Sequence, residues 1–268
     1  MDTRVMQRPT PDEAAGQGWR ARRRLRWARR PRWLRWLLRF VAAGLAAIVL
    51  LLAGLLILIL TSPSVSDAPR RVAGILAAHH SPSDNGVIPD KVATALLATE
   101  NSRFYHDPAI DPLGLARAVK GVLTSNGNEG GATIEQQLAK MLYSPGTGYL
   151  AQVRQVGEAF RLDQTFSKHT ILAMYLDAAY FGDGAYGVTA AARHYFGLAP
   201  RQLSWAQASL LAGLVQAPTQ YDPHGHLQMA RERQQHVLSR LVATHGLTRA
   251  EAAAAWSAPL HPAVAFFG

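Results

Sequence analysis

Hydrophobic residues first form one uninterrupted run near the start of the chain. Residues 40–61 carry no charge and consist mainly of Leu, Ile, Ala and Val. A helix of these 22 residues is long enough to cross the hydrocarbon core of a bilayer. The run also exceeds the apolar region of a typical secretory signal peptide, although a cleaved signal peptide stays the alternative. The pattern therefore predicts an uncleaved transmembrane anchor.

Beyond this run, apolar positions recur at helical spacing in short segments. Gly, Pro or Ser residues separate these segments from one another. No alternation of apolar and polar residues is long enough to build a sheet, so we predict an all-α fold. The predicted helices cover residues 73–78, 91–100, 113–123, 133–142, 152–163, 169–179, 188–195, 205–215, 229–244 and 249–256.

Positive charge is concentrated before the apolar run. Residues 1–39 contain 12 of the 24 arginines and three acidic residues, whereas the rest of the chain has 16 basic and 15 acidic residues. The sequence pI of about 10.4 therefore describes the tail, and we expect no nucleic-acid partner. Basic residues before a span and few after it predict a cytoplasmic N-terminus and a folded part outside the cytoplasm.

These patterns divide the chain into five predicted parts. They are a basic cytoplasmic tail (1–39), the transmembrane anchor (40–61), a Ser/Pro linker (62–72), a folded domain (73–245) and a C-terminal helical extension (246–268). The chain has no cysteine, so neither disulfides nor thiolate metal sites are expected. The ten histidines show no spacing typical of metal ligands.

A first candidate site lies at residues 98–111, with the sequence Ala-Thr-Glu-Asn-Ser-Arg-Phe-Tyr-His-Asp-Pro-Ala-Ile-Asp. Glu100 follows an apolar helical segment. A glutamate in that position tends to lie partly out of water, where a carboxylate can take or give a proton near neutral pH. The alternative is a solvated helix end, where glutamate is common.

A second candidate site lies at residues 130–140, where a glycine pair leads into a helix that Thr133 is placed to cap. Free backbone N–H groups at a helix start favour an anion. Gln136 and Gln137 lie four and three residues before Lys140, so the amides and the ammonium share one helix face. This composition predicts a phosphate site.

These two stretches resemble the first two motifs of the peptidoglycan glycosyltransferases, the transglycosylase module of class A penicillin-binding proteins and its monofunctional relatives. The family motifs read Glu-Asp-x-x-Phe-x-x-His-x-Gly-x-Asp and Gly-x-Ser-Thr-Ile-Thr-Gln-Gln-Leu-x-Lys. Residues 171–197 resemble the family's Tyr-Leu-Asn and Tyr-Phe-Gly block, and residues 203–223 resemble its closing Ala-x-Leu-Ala-Gly-Leu-x-Gln-Ala-Pro motif. This ordered set covers roughly residues 75–245 and implies a lysozyme-like α-helical glycosyltransferase domain.

The resemblance implies a reaction on lipid II, the lipid-linked precursor of the cell wall. A sugar 4-hydroxyl would attack C1 of the growing lipid-pyrophosphate-linked chain, with inversion and release of undecaprenyl pyrophosphate. An alcohol needs a base as it attacks, and Glu100 matches that position. The departing pyrophosphate needs cations or oriented amides. The matching substrate-binding positions are Asn101, Phe104, Thr133, Gln136, Gln137 and Lys140.

The same resemblance implies cofactors, partners and a location. A divalent metal ion, Mg²⁺ or Mn²⁺, is implied at the pyrophosphate with unknown ligands, and no organic cofactor is expected. The implied partners are the growing glycan chain, the membrane and other cell-wall synthesis proteins. The expected location is the bacterial cytoplasmic (inner) membrane, because the prenyl tail of the substrate lies there. In this setting Arg231, Arg233 and Arg240 are expected on a solvated helix face, with contact of Arg231 or Arg233 to a lipid phosphate as the alternative.

Several positions depart from the family motifs. Asn101 replaces an Asp, which removes a charge beside Glu100, and Asp107 occupies the position of the His. Glu135 replaces a Thr and is expected to place a carboxylate beside the phosphate site. Asp177 replaces the Asn of the Tyr-Leu-Asn block.

The family's second glutamate has two possible matches in this chain. It follows Arg-Lys-x-x, and Arg154 with Glu158 reproduces that spacing, which suggests Glu158 as catalytic and Arg154 as substrate-binding. Counting back without a gap from residues 167–168 places Gln155 there instead. Both alignments remain open.

Three functions agree with these patterns. The first is a membrane-anchored peptidoglycan glycosyltransferase, expected to be monofunctional because only some 45 residues follow the last motif, too few for a transpeptidase. The second is a lysozyme-like enzyme that cleaves glycan with one glutamate as general acid. The third is a catalytically impaired relative that binds lipid II or acts as a scaffold, an alternative that the substituted motif positions leave open.

Overall fold

The computed structural model describes residues 31–83, 86–107, 132–146 and 148–260. The predicted helix at 113–123 and the glycine-rich approach to the second motif lie outside the described residues. The chain divides into two compact units, Met1–Ile57 and Leu58–Gly268, and each is described by itself.

The described part of the first unit is a single helix, α1, which runs over Arg32–Thr61 and ends just inside the second unit. It begins eight residues before the predicted apolar run, so its first turns carry the last three arginines of the tail together with Trp33 and Trp36. Apolar side chains that are described on it, among them Phe40, Ile48 and Leu50, are exposed to solvent. In the described part of the chain, this is the one helix long and apolar enough to cross a membrane, over Trp33–Gly54.

The regular secondary structure of the second unit is helical in its described residues, where the only β-pairing is an isolated bridge between Tyr180 and Tyr186. The all-α prediction is therefore confirmed. Its helices are α2 (Ala68–Ala78), α3 (Asp90–Glu100), α4 (Ile134–Leu142), α5 (Tyr149–Thr165), α6 (Lys168–Ala178), α7 (Val188–Phe196), α8 (Trp205–Leu214), α9 (Pro223–Ala243) and α10 (Arg249–Ser257), with a 3₁₀ turn at Pro200–Gln202.

Two groups of helices form the core of this unit. In the first group, α8 packs against α3 and α9. Helix α8 carries no charged residue, and residues 206–214 are all buried. In the second group, α4 packs against α5 and α6, and residues 171–178 of α6 are all buried. Helices that are apolar on every side become central core helices, and the neighbouring amphipathic helices cover them.

Two helices begin five or six residues earlier than the sequence pattern predicts. Helix α2 starts at Ala68 rather than residue 73, and Ala68 and Val72 are buried, so the second half of the predicted linker belongs to the core. The charged residues 70–71 interrupt the apolar periodicity of this helix, so the sequence pattern predicts only its part after them. Helix α9 starts at Pro223 rather than residue 229, with a non-helical kink at His226. Proline suits the first turn of a helix, because that position needs no N–H donor.

Candidate active site

Glu100 lies at the C-terminal end of α3, where the two groups of helices meet. Its Oε2 atom accepts a hydrogen bond from Nε2 of Gln137 on α4 at 3.0 Å. The Oε1 atom of Gln137 accepts one from the hydroxyl of Tyr175 on α6 at 2.9 Å. Because a neutral tyrosine can donate to the amide oxygen, the amide nitrogen is oriented to donate to the carboxylate. Three helices therefore hold Glu100 in a fixed position.

The hydroxyl of Tyr175 stays a hydrogen-bond donor, which fixes the direction of both hydrogen bonds. The residue is fully buried. Burial, with a smaller contribution from the charge of Glu100, raises the pKa of Tyr175 well above its usual range. The phenol therefore stays protonated at physiological pH and remains a donor to Gln137.

Arg233 on α9 lies near the other carboxylate oxygen of Glu100. Its Nη2 atom lies 3.7 Å from Oε1 of Glu100, and the two side chains are 13% and 16% exposed. Nε of Arg233 is buried and has no hydrogen-bond partner among the described residues. Gly213 on α8 makes room for the arginine stem, because a Cβ atom there would lie 3.0 Å from Cγ of Arg233. A buried guanidinium with an unused N–H is able to bind a further acceptor.

The prediction that Arg231, Arg233 and Arg240 lie on a solvated face of α9 is therefore wrong. Nη2 of Arg231 donates to the carbonyl of Trp256 at 2.7 Å, and its guanidinium lies over the Trp256 ring. Nε of Arg240 donates to the carbonyl of Ala98 at 3.1 Å. That carbonyl belongs to the last turn of α3, where a cation satisfies otherwise unpaired backbone oxygens. Arg240 therefore supports the helix end that carries Glu100.

The second motif begins α4 as the sequence predicts. The backbone N–H of Gln136 donates to Oγ1 of Thr133, and the N–H of Thr133 donates to Oε1 of Gln136, each at 3.3 Å. This reciprocal capping box confirms Thr133 as the cap and gives the side chain of Gln136 a structural task. Lys140 is exposed and forms no ion pair within the described residues, so its ammonium is available to an anion.

Glu158 and Gln155 lie one turn apart on α5 and contact the same segment after α4. The hydroxyl of Ser144 donates to Oε1 of Glu158 at 2.9 Å. Nε2 of Gln155 donates to the carbonyls of Ser144 and Gly146 at 2.8 and 3.0 Å. Arg154, on the same helix, is exposed. The shared contacts do not choose between the two alignments, and the catalytic assignment of Glu158 stays a prediction.

The environment of Glu158 is unusual for a carboxylate. Its Oε2 atom is buried and has no hydrogen-bond partner among the described residues. Burial raises the pKa of Glu158, while the Ser144 hydrogen bond and the charges of Arg154 and Arg71 oppose that rise. A carboxyl group with a raised pKa is a candidate for proton transfer.

Similarity to known proteins shows the family to which this chain belongs. Residues 71–242 match the family model described as Transglycosylase. The chain belongs to the transglycosylase family. It is 36% identical over 177 residues to penicillin-binding protein 1A of Vibrio cholerae, covering 65% of this chain and 22% of that protein. It is 35% identical over 176 residues to a "Putative transglycosylase" of Cupriavidus necator, covering 65% of this chain and 76% of that protein.

The transglycosylase resemblance drawn from the motifs is thus confirmed. A crystal structure of penicillin-binding protein 1A from Haemophilus influenzae aligns with 68% of this chain and 18% of that chain, at 23% identity and a TM-score of 0.41. The chain spans about a fifth of the length of the penicillin-binding protein relatives it matches.

The first transglycosylase motif also contributes to the core. Phe104 is buried, and Nζ of Lys168 lies 5.0 Å from the centre of its ring. The N–H of Phe104 donates to the carbonyl of Asn101, which follows the end of α3. The structure therefore places Phe104 where it supports the turn after Glu100, rather than on a surface that a substrate could contact.

The carboxylate that departs from the second transglycosylase motif is buried and paired with a lysine. Glu135 is buried and forms an ion pair with Lys168, whose Nζ also lies 2.8 Å from Oδ1 of Asp163. Although burial lowers the pKa of Lys168, the hydrogen bonds to Asp163 and Glu135 raise it above the ordinary value. The carboxylate expected beside the phosphate site is therefore buried and ion-paired, because a buried carboxylate needs a cationic partner and Lys168 supplies it.

Asp177, which stands at the family's Asn position, has a structural role. It is buried, and its Oδ2 atom accepts a hydrogen bond from the hydroxyl of Ser83 at 3.0 Å. This contact fixes the loop between α2 and α3 to the end of α6.

A divalent ion at Glu100 finds few protein ligands in the described part of the chain. Oε1 of Glu100 accepts no hydrogen bond from the described residues, whereas Glu135 is buried in an ion pair with Lys168. Mg²⁺ is commonly held by one or two carboxylates, waters and substrate phosphates, so Glu100 with a pyrophosphate fits this pattern. The Mg²⁺ or Mn²⁺ requirement stays a prediction. A different group, Asp183, His194 and His224, brings three metal-ligating side chains together, and no sequence spacing had indicated it.

Proposed function

We propose that the chain is a membrane-anchored peptidoglycan glycosyltransferase that polymerises lipid II into glycan strands. The observation that carries the proposal is the position of Glu100 at the meeting point of α3, α4 and α9. Gln137 holds one carboxylate oxygen, and Arg233 lies beside the other. This arrangement occurs within the residues that match the transglycosylase family.

The two oxygens of Glu100 differ in a way that suggests which one acts as the base. Oε2 accepts the hydrogen bond of Gln137. Oε1 is 3.7 Å from Nη2 of Arg233, which is longer than a hydrogen bond. Oε1 therefore retains a free lone pair. In the proposed reaction it accepts the proton of the acceptor sugar's 4-hydroxyl as that oxygen attacks C1 of the growing chain.

The departing pyrophosphate is assigned to the face of α4 that carries Gln137 and, in the last turn, Lys140. Lys140 offers an exposed ammonium on the face that also carries Gln137. A cation there stabilises the charge that develops as the C1–O bond breaks, and undecaprenyl pyrophosphate leaves. Inversion follows from a single displacement at C1. A Mg²⁺ or Mn²⁺ ion would neutralise further pyrophosphate charge when bound.

Glu158 is proposed as the second carboxylate of the site. It bonds to Ser144, which follows the helix that carries Lys140. Its raised pKa makes it able to carry a proton at a higher pH than an exposed glutamate does.

The proposed location is the bacterial cytoplasmic membrane, with α1 as a single span and the catalytic unit outside. The exposed apolar surface of α1 and the basic residues before it support this topology. Tethering confines enzyme and lipid substrate to one surface. Monofunctional status and partnership with other cell-wall synthesis proteins remain predictions.

A polymerisation assay tests the proposal. The full chain in detergent is incubated with labelled lipid II, with EDTA, Mg²⁺ or Mn²⁺, and the products are separated by gel. Polymer from the parent and none from Glu100→Gln is the expected result. Glu232→Gln makes the same chemical change on an exposed face of α9 and should retain activity.

Other outcomes point to the alternative functions. Bound lipid II without any polymer from the parent, in every metal condition, would overturn the enzymatic proposal in favour of a binding protein. Release of soluble muropeptides from finished wall would favour a glycan-cleaving enzyme. Loss of polymer in Glu158→Gln but not in Gln155→Ala would assign the family's second glutamate to Glu158.

A further inference from the structure

Three side chains from separate segments converge outside the site described above. Asp183 lies in the loop between α6 and α7, His194 lies on α7, and His224 lies in the first turn of α9. Oδ2 of Asp183 is 2.8 Å from Nε2 of His194 and 3.1 Å from Nδ1 of His224. One ligand atom from each residue lies within 4.8 Å of the other two. None of the three has a part in the proposed transfer reaction.

The chemistry of this group is that of a transition-metal site. Two imidazoles and one carboxylate form a common protein ligand set for Zn²⁺ and related first-row ions, with a solvent molecule in the remaining position. Ligand atoms bound at about 2.0–2.2 Å in a tetrahedral shell lie roughly 3.3–3.5 Å apart. The observed separations of 2.8 and 3.1 Å require only a small outward movement to admit an ion.

The surrounding residues hold the two rings in place. The buried ring of Tyr195 lies 4.8 Å from the ring of His194 and 5.4 Å from that of His224. Asp183 has a φ of +44° and follows Gly182, which also has a positive φ, so the loop turns its carboxylate toward both rings. A ligand set whose side chains are already packed loses little freedom when it binds an ion.

Charge and access also favour a cation. Oδ1 of Asp222 lies 3.7 Å from Nδ1 of His224, which brings a second carboxylate close to the group. The side chain of Asp183 is 48% exposed and that of His194 is 35% exposed. An ion could therefore enter from solvent, and water could complete its coordination.

We propose that Asp183, His194 and His224 bind one divalent first-row transition ion, with Zn²⁺ as the best match. The ion would join the loop after α6 and helix α7 to the start of α9. Helix α9 carries Arg233 toward Glu100, so the ion would stabilise the tertiary arrangement around the site without contacting substrate. The proposal concerns metal binding and stability, and it does not depend on the transfer reaction.

Metal binding to the full chain tests this proposal directly. The protein is prepared in detergent without an oligohistidine tag, treated with EDTA and desalted. Co²⁺ is then added while its visible absorption is recorded, because Co²⁺ reports a four- or five-coordinate protein site and can be displaced by Zn²⁺. We expect one equivalent of Co²⁺ to bind, Zn²⁺ to displace it and Mg²⁺ not to, because imidazole is a poor ligand for Mg²⁺.

Variants locate the site. His194→Gln, His224→Gln and Asp183→Asn each remove one ligand and should weaken Co²⁺ binding at least about tenfold. They should also abolish the rise in melting temperature that Zn²⁺ produces in the parent. His169→Gln changes an exposed histidine on α6 and should bind as the parent does. Melting temperatures without metal show whether each variant folds.

Three results would overturn the proposal. The first is the absence of a saturable Co²⁺ site in the parent, a measurement that needs no variant. The second is unchanged binding in folded His194→Gln and His224→Gln. The third is a Zn²⁺ effect on melting temperature that is equal in the parent and in these variants, which would assign the metal to other histidines.

Discussion

Replacing Lys168 with Met tests how the chain accommodates the carboxylate of Glu135. The change removes one ammonium that pairs with Glu135 and Asp163 and lies over the ring of Phe104. Met has a similar length and is apolar, so packing is largely kept while the charge is lost. Glu135 is then left buried without its cation.

The loss of stability expected for Lys168→Met follows from the burial of Glu135. The side chain of Glu135 is 1% exposed, and that of Lys168 is 21% exposed. Removing one partner of a buried ion pair costs about 3–5 kcal/mol. Solvent reaches Lys168 and Asp163 in part, so we expect a loss of about 2–3 kcal/mol. At roughly 2–4 °C per kcal/mol for a domain of this size, the melting temperature should fall by about 5–10 °C.

Thermal unfolding of the full chain in detergent, followed by tryptophan fluorescence, measures this change. Lys140→Met makes the same substitution at an exposed site of α4 and should alter the free energy of unfolding by less than about 0.5 kcal/mol. In the double variant with Glu135→Gln, most of the stability lost in Lys168→Met should return, because no buried charge remains.

The pH dependence gives a second readout. The pKa of Lys168 is raised above its ordinary value of 10.5, so its stabilisation is fully present below that pH. It is lost as the pH rises through the folded-state pKa. The difference between the parent and Lys168→Met should therefore persist at neutral pH and shrink in the alkaline range. Equal effects of Lys168→Met and Lys140→Met, or no recovery in the double variant, would refute the reasoning.

Three further predictions concern the site itself. Glu158→Gln should raise the melting temperature at neutral pH, because a buried carboxyl group with a pKa raised above 4.5 destabilises the folded protein once it ionises. The gain should disappear below pH 4.5. An unchanged or lower melting temperature at neutral pH contradicts this prediction. Gln137→Leu should reduce polymerisation by at least about tenfold with unchanged far-UV circular dichroism, and Tyr175→Phe should reduce it less. Equal activity in the parent and both variants would contradict a role for the hydrogen bonds from Tyr175 through Gln137 to Glu100. Thr133→Ala should lower the free energy of unfolding by about 1 kcal/mol in thermal denaturation, and a change near zero would show that the capping box contributes nothing.

The family and the helical architecture could be predicted from the sequence because their signals are local. The apolar run that becomes most of α1 needs only the count of uncharged residues. The cap of α4 involves Thr133 and Gln136, three residues apart, and such contacts form from the backbone of one turn. The position of Glu100 at the end of α3 is also a local signal, because the helical periodicity of the apolar residues before it ends there.

The charge environment of the site was decided by tertiary packing alone. Glu135 and Lys168 are 33 residues apart, and their pairing depends on how α4 packs against α6. The sequence pattern predicts that Arg233 is an exposed helical residue, whereas the packing of α9 against α8 directs its side chain to Glu100. Likewise, Asp183, His194 and His224 share no helical spacing and meet only through the contacts of a loop with two helices. Sequence periodicity reports which face of a helix is apolar, whereas partners between helices depend on packing angles and register that no local pattern encodes.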